Sequence, residues 1–558
     1  MRPVSPKGPD RRRAGRVSSA PTTRRAFLTW WLGAGAFGLG AALGAVTAIR
    51  ESSSAAGEPP ATPVPLQPTV SPTAARTIFL PATRTPKPLP TSIASPAASP
   101  AEPTPVASAT IARPLSPRQP NVLLVTIDTL RADRIGVYGF GQAHTPVLDD
   151  LAGQGVRFTR AVCQLPQTNA SHAALMTGLY PSTSGVKRHM VDKLRPGSQT
   201  LARVFASAGY RTAGIYSWVS LDPQFCGLDQ GFQTYAGYVL NRSAIFSDPR
   251  LEQLAATYRQ LKAQVPIIST ADAVLGQSED IEKSLDGRAD VTNDAVFKWL
   301  DAHDPAEPFF LWVHYFDPHY PYAPPSGYDH LLGLDYQGKL DGSVDTIHSI
   351  EKGKVTLNSA DTARLLELYQ GEIAYTDAQF GKLRAYLQKM GVEDDTIIAV
   401  TGDHGESFGE HDDWTHGLKV FETEIRVPLI FRYPRKLTPG GVIDAPAQLI
   451  DVMPTLLDLA GVRAAKSVQG ASLVPVMTGK DNGSGLAAFT ELADDSFVSV
   501  LTWGDWKLIR NDANGELQLY NLKVDEAERR NLVKDEAKTA QQLNARLQDL
   551  MKVSGVSR

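Results

Sequence analysis

The sequence predicts an α/β fold, a large mixed sheet flanked by helices with a small antiparallel α+β subdomain behind it, and three features of its 558 residues point there. From Asn121, short apolar runs alternate with amphipathic stretches, the pattern of strands buried on both faces between covering helices. Near residue 463 the alternation gives way to short strand-like segments separated by Gly-Asp and Asn-Gly turns, which read as an antiparallel meander. Ahead of residue 119 neither pattern occurs. At about 150 residues per domain the length allows three to four units, and the composition divides the chain at 1–50, 51–118, 119–462 and 463–558.

The first segment reads as targeting rather than fold. Residues 1–25 hold eight Lys/Arg against one Asp and lead into Thr23-Arg24-Arg25-Ala26-Phe27-Leu28. An uncharged run of 24 residues, 26–49, follows and is closed by Arg50. Paired arginines, a spacer and Phe-Leu ahead of a mildly apolar run resemble a twin-arginine export signal. Five glycines make the run less hydrophobic than an ordinary spanning helix. A plain membrane anchor is the alternative, and the two readings are compatible, because the run is long enough to cross a hydrocarbon core of about 30 Å. Membrane-anchored and secreted products both stay open. Either way the export machinery delivers the bulk of the chain to an extracytoplasmic location. Residues 51–118 contain 16 of the 40 prolines, interleaved with Ala, Ser and Thr. Such a segment buries too little apolar surface to offset its ordering entropy, so a disordered tether is expected there.

Charge is spread unevenly. The net −3 of the whole chain conceals +7 on residues 1–25 and +3 on residues 26–118, leaving −13 on the body. That balance argues against nucleic acid as a partner, since non-specific binding needs clustered Lys/Arg to neutralise phosphates. Two cysteines, Cys163 and Cys226, allow at most one bridge and exclude a disulfide framework or a thiolate zinc site.

Within the body, residues 121–127, 211–216, 309–316, 396–401 and 427–432 are the expected strands of a largely parallel sheet. Residues 147–152, 199–207, 291–302 and 363–390 are the helices between them, and a helix over 450–460 closes the large domain. Strands over 497–503, 506–510 and 517–522, with an amphipathic helix over 537–553, make up the subdomain.

Ligands of open α/β sheets gather at the carboxyl ends of strands, and several chemically capable residues fall there. Asp128 follows the first strand, in Asp128-Thr129-Leu130-Arg131-Ala132-Asp133. Asp403 and His404 follow the fourth, in Gly402-Asp403-His404-Gly405-Glu406, with His411 and His416 shortly after. His319 lies just past the third, in Asp317-Pro318-His319-Tyr320-Pro321-Tyr322. Two carboxylates and an imidazole at one sheet edge suit a divalent cation, with Ca, Mn, Zn and Mg all open. Thr168, in Gln167-Thr168-Asn169-Ala170-Ser171-His172, reads on its own as a helix N-cap. The start of a helix also favours an anion, so the hydroxyl faces a site for phosphate or sulfate. A cation held by Asp128, Asp403 and His404 would lower the pKa of that hydroxyl and make it a nucleophile.

From about Asn121 to the C-terminus these motifs resemble the sulfatase family of the alkaline-phosphatase-like superfamily. The likeness extends to Thr177-Gly178-Leu179-Tyr180-Pro181, Arg426-Val427-Pro428-Leu429-Ile430, Asp451-Val452-Met453-Pro454-Thr455-Leu456 and Gly504-Asp505-Trp506-Lys507-Leu508. The resemblance implies that fold, places Asp128, Thr168, Asp403 and His404 on metal-ligand positions, and makes His319 a substrate-contacting histidine. His172, in the nucleophile segment, is assigned to substrate binding. A typical member carries Cys-x-Pro-Ser-Arg, whose cysteine becomes formylglycine; here the segment reads Thr-Asn-Ala-Ser-His from Thr168, and no formylglycine is expected. Cys163 lies five residues too early. Thr129 stands where the family has the second aspartate of a pair, and a Lys-x-His pair is missing near Ser217-Trp218-Val219.

The expected activity is metal-dependent hydrolysis of a small-molecule or envelope-polymer ester through a covalent Thr168 intermediate, with His319 and His416 stabilising the leaving or transferred group. Phosphoesters are favoured. A formylglycine hydrate expels sulfate by reverting to the aldehyde, a route closed to threonine, whereas a threonine phosphate can be attacked in line by water. A true sulfuric ester hydrolase and a phospho-headgroup transferase of the cell envelope are the alternatives. A non-catalytic binding protein is disfavoured, because unpaired acids in a cleft cost stability without a cation.

Overall fold

The run Asn121–Ile127 forms strand β1, buried along its whole length, and the rest of the sheet grows outward from it. In the computed structural model, residues 119–237, 287–304, 306–492 and 497–555 are described. The chain divides into two units, Met1–Ser108 and Ala109–Arg558, and the described residues all belong to the second. The export signal or anchor over 1–50 and the tether over 51–118 lie outside the described residues. Among the described residues no helix is long and apolar enough to cross a membrane.

The large sheet uses β1, β2 (Val156–Val162), β3 (Arg211–Tyr216), β4 (Thr234–Gly237), β5 (Phe309–Tyr315) and β6 (Thr396–Gly402). After a two-stranded ribbon, β7 (Ser407–Phe408) and β8 (Trp414–Thr415), come β9 (Arg426–Arg432), β10 (Gly441–Ile443) and β11 (Ala447–Gln448). The spatial order is β10-β2-β9-β6-β1-β5-β3-β4, with β11 beside β2. The five expected strands are present, and β5, β1 and β6 are parallel neighbours. The sheet is mixed, as expected, because β9 runs antiparallel to both β6 and β2. The chain between Gly402 and Arg426 stays at the carboxyl edge of β6, so it returns without the crossover that a parallel neighbour would require. Strand β2, Val-Arg-Phe-Thr-Arg-Ala-Val, is the main strand that apolar runs alone do not reveal. Its polar residues alternate into partly exposed positions, and a register shift between Phe158 and Ala161 bends it.

The longer helices are α1 (Pro146–Gln154), α2 (Thr168–Thr177), α3 (Leu201–Ser207), α4 (Ala289–Asp301), α5 (Val344–Glu351), α6 (Ser359–Lys389), α7 (Val452–Ala460) and α8 (Ala537–Ser554). Side-chain alternation in the central strands sorts the core into two layers. Val122, Leu124, Phe310, Trp312, Ile397 and Ala399 pack with Ala170, Ala173 and Leu175 of α2 and Leu456 of α7. Leu123, Val125, Leu311, Val313, Ile398 and Val400 face the other way, against Val296 and Leu300 of α4 and Leu365, Phe380 and Leu383 of α6. Helix α6 begins at a capping box, with the Asn358 side chain accepting from the Asp361 backbone and the Asp361 side chain accepting in return, which starts it four residues earlier than its apolar period suggests.

Behind this body, β12 (Ala488–Leu492), β13 (Val498–Trp503), β14 (Trp506–Asn511) and β15 (Leu517–Asn521) form an antiparallel sheet in sequence order. Phe489, Leu501, Leu508 and Leu519 pack against Leu543 and Leu547 of α8, and the same cluster includes Ala174 of α2. Lys507 ties the two parts electrostatically. Fully buried, its Nζ lies 2.9 Å from Glu422 and 2.8 Å from Glu528.

Candidate active site

The α2 side of the sheet becomes polar at its carboxyl edge. Continuing the alternation of Val122 and Leu124 brings Thr126 and then Asp128 to that side; Phe310 and Trp312 are followed by His314, and Ile397 and Ala399 by Thr401 and Asp403. Register pairs Thr126 with both His314 and Thr401. Helix α2 covers these residues with all ten of its residues buried.

Thr168 does not cap this helix. Gln167 holds the extended cap position, and the Ser171 N–H donates to its carbonyl at 2.9 Å, so Thr168 is the first residue within the helix. Its hydroxyl is thereby released from capping and sits 3.4 Å from His404 Nε2. His404 Nδ1 donates to the Gly405 carbonyl at 3.0 Å, since a carbonyl can only accept, which leaves Nε2 directed to the cluster.

Around that nitrogen stand the two carboxylates. Asp128 Oδ1 is 3.7 Å and Asp403 Oδ2 is 3.5 Å from His404 Nε2. Asp403 Oδ1 accepts from the backbone N–H groups of Thr129 and His404 at 3.1 and 2.8 Å, which fixes its orientation. Asp403 Oδ2 and both oxygens of Asp128 are buried without a hydrogen-bond partner. Burial pushes the Asp128 carboxyl up to about 7 against the pull of His404, and raises Asp403, with the nearby Asp128 charge adding to it. Two buried acids with three oxygens left unpartnered, beside an imidazole nitrogen, fit a divalent cation. Asp128, Asp403 and His404 present ligand atoms within 4.8 Å of one another, and Thr168 adjoins them.

The histidines divide by position. His319 donates from Nδ1 to the Tyr320 carbonyl at 2.6 Å and packs on Phe316, which stacks on Trp218 at 4.4 Å. Trp218 thus supports His319 from the stretch where the Lys-x-His pair is missing. His416 contacts Glu406 Oε1 through Nδ1 at 3.0 Å, and Tyr322 donates to the other oxygen of Glu406 at 3.0 Å. Ring centroids run 4.3 Å from His404 to His416 and 5.1 Å from His416 to His319, so the three form a row. His404 is completely buried, whereas His319 and especially His416 keep some exposure, so the row opens toward His416 and His319. Burial lowers His319 to about 3 and His416 well below the usual imidazole range. His411 stands apart, stacked on Phe421 at 3.6 Å.

His172, assigned above to substrate binding, has both ring nitrogens engaged within the protein. Nδ1 donates to the Thr168 carbonyl at 2.8 Å, and Nε2 accepts from Thr126 Oγ1 at 3.0 Å. Trp312 Nε1 donates to that same Thr126 oxygen at 2.9 Å. The chain Trp312–Thr126–His172–Thr168 therefore positions the start of α2 from beneath. Arg131 positions the facing loops, with Nε and Nη2 on Asp133 at 2.9 and 2.8 Å and Nη1 on the Glu406 carbonyl at 2.9 Å. Cys163 lies in the core beside Glu424, outside this constellation, and both cysteines are free.

His314 is the residue the sequence reading passes over. Concealed in the apolar run Phe309–Tyr315, it reaches the cluster with Nε2 3.4 Å from Asp128 Oδ2. The available signal is a histidine at the penultimate position of a wholly buried strand.

A family model described as Sulfatase matches residues 120–462, and one described as N-sulphoglucosamine sulphohydrolase, C-terminal, matches residues 409–553. An arylsulfatase of Clostridium perfringens is 28% identical over 446 residues, covering 75% of this chain and 91% of that protein. An N-acetylglucosamine-6-O-sulfatase of Bacteroides thetaiotaomicron is 23% identical over 497 residues, covering 74% and 83%. Among solved structures, a phosphonate monoester hydrolase of Agrobacterium radiobacter superposes with a TM-score of 0.59 at 22% identity, over 78% of this chain and 96% of that one. With the Sulfatase pattern running through more than half of its length, the chain belongs to the sulfatase family of ester hydrolases, within the alkaline-phosphatase-like superfamily.

Proposed function

We propose that the protein is a metal-dependent phosphoester hydrolase that works outside the cytoplasm with Thr168 as its nucleophile. One observation carries the reading. A threonine hydroxyl, freed from capping, stands at the start of a buried helix 3.4 Å from His404 Nε2, beside two carboxylates with unpartnered oxygens. When bound there by Asp128, Asp403 and His404, a divalent cation supplies positive charge for the ester oxygens and lowers the pKa of the hydroxyl. Thr168 Oγ1 bonds to phosphorus, its proton passing to solvent, and the bond to the leaving oxygen breaks on the opposite side. The leaving oxygen takes up a proton at the open end of the histidine row, where His319 and His416 can carry one once an anionic ester is beside them. Water then attacks phosphorus, the Thr168–phosphorus bond breaks, and Thr168 regains a proton. The helix start and the imidazoles hold the charge of the transferred group.

Turnover of matched aryl phosphate, phosphodiester and sulfate esters by the metal-loaded full-length protein tests the preference. Phosphoesters should be cleaved faster; an aryl sulfate turned over faster than every phosphoester would establish sulfuric ester hydrolysis instead. The extracytoplasmic part of the proposal rests on residues 1–50. Replacing Arg24 and Arg25 by Lys should trap a folded protein in the cytoplasm, and undiminished export would leave only the plain-anchor reading.

A further inference from the structure

We propose that His314 is a ligand of the same cation, an additional imidazole that makes the site selective for a borderline transition metal such as Zn2+ or Mn2+ over Ca2+. The inference rests on the metal-dependent reading above and adds a ligand to it.

His314 is completely buried, and neither of its ring nitrogens has a hydrogen-bond partner. Buried polar atoms are rarely left in that state, and each costs about 1–3 kcal/mol when they are. Its neighbour across the cluster has the same deficit: Asp128 Oδ2 lies 3.4 Å from His314 Nε2 and is also unpartnered. Asp128 is thus held between two imidazoles, with Oδ1 toward His404 and Oδ2 toward His314. The spacing from His314 to Asp128 (3.4 Å) is close to that from His404 to Asp403 (3.5 Å), so each imidazole stands against a carboxylate at the separation of two ligands of one ion. Nitrogen and oxygen ligands about 2.0–2.1 Å from a tetrahedral ion are about 3.3 Å apart. His314 also lies within 4.8 Å of Asp403 by ligand atoms.

His172 belongs to the same group, but both of its nitrogens are spent on Thr168 and Thr126, so His314 alone has a lone pair to give. Thr129, at the position where a second carboxylate is implied, offers a buried hydroxyl without a partner. A ligand arriving from β5 makes up for that missing carboxylate on the β1 loop. Two imidazoles, two carboxylates and a hydroxyl suit Zn2+ or Mn2+, whereas Ca2+ takes six to eight oxygens.

X-ray absorption at the zinc edge of Zn2+-loaded full-length protein counts the imidazoles directly. The wild type should show two and His314→Ala one, and chelator competition should show Zn2+ affinity falling at least tenfold in the variant. One imidazole in the wild type with zinc fully bound would overturn the role of His314 and leave the metal reading standing. Unchanged zinc affinity in a His314→Ala protein with a native circular dichroism spectrum would overturn it as well. A wild type that retains no zinc under competition would overturn both.

Discussion

Thr126→Val isolates the hydrogen-bond chain beneath the nucleophile. The substitution keeps the volume of a side chain that is completely buried and removes only its hydroxyl. That hydroxyl accepts from Trp312 Nε1 at 2.9 Å and donates to His172 Nε2 at 3.0 Å, so one donor and one acceptor are orphaned together. At about 1–3 kcal/mol per orphaned buried group, partly relieved by relaxation, the cost should be about 2–4 kcal/mol. An unfolding entropy of about 2.1 cal/mol/K per residue over the roughly 380 described residues makes 1 kcal/mol worth about 1.2 °C, so Tm should fall by about 2–5 °C. The imidazole, held neutral because burial lowers it to about 4, would also lose what fixes its tautomer. Its bond to the Thr168 carbonyl would weaken, and kcat should fall about tenfold with KM little changed. Thr126→Ser keeps the hydroxyl, loses one methyl worth about 0.8 kcal/mol, and should stay closer to wild type in both respects. Calorimetry and steady-state kinetics on metal-loaded protein decide the matter. A valine variant within 1 °C of wild type while the serine variant melts lower, an outcome opposite to the one worked out here, would refute the chain as a positioning device.

Asp128→Asn and Asp403→Asn should each lose bound metal and activity together, because each removes an anionic ligand from a site with few others; full metal content by elemental analysis in both would contradict the assignment. Asp133 gives a pH prediction. Partial desolvation pushes its half-exposed carboxyl up, but the Arg131 guanidinium outweighs that and brings it from 3.8 down to about 2. A group held down in the folded state stabilises fully above its unfolded value and loses that contribution as pH falls through the folded one. Asp133→Asn should therefore flatten the fall of the urea midpoint between about pH 4 and 2, and an unchanged slope would show that the pair does not govern acid unfolding.

Much of the fold was legible because the central strands are apolar on both faces. Runs such as Asn121–Ile127 and Phe309–Tyr315 have few alternatives to a strand buried within a sheet. Strand β2 escaped notice because its partners β9, β10 and β11 bury only alternate positions, and β9 gave no sign of direction because direction depends on where the preceding loop goes. At the site, Asp128, Asp403 and His404 stood out by following strands directly. His314 did not, since a strand partner two residues upstream of the loop looks like core until its neighbours are known. Residue type favours Thr168 as a cap, whereas the closing bond from Ser171 to Gln167 shifts the helix by one residue. His172 drew attention as a polar residue beside the nucleophile, and only Thr126 and Trp312, distant in sequence, reveal its positioning role.

The central claim is that Thr168 carries the transferred group. Acid-quenching the metal-loaded full-length protein during turnover of an aryl phosphate, followed by peptide mass analysis, measures this directly. A phosphoryl adduct on Thr168, absent from Thr168→Ala together with nearly all activity, is the predicted result. The alanine variant should remain folded, since Gln167 rather than Thr168 holds the cap position. A phosphoryl label on another residue, or an active Thr168→Ala protein, would contradict the account.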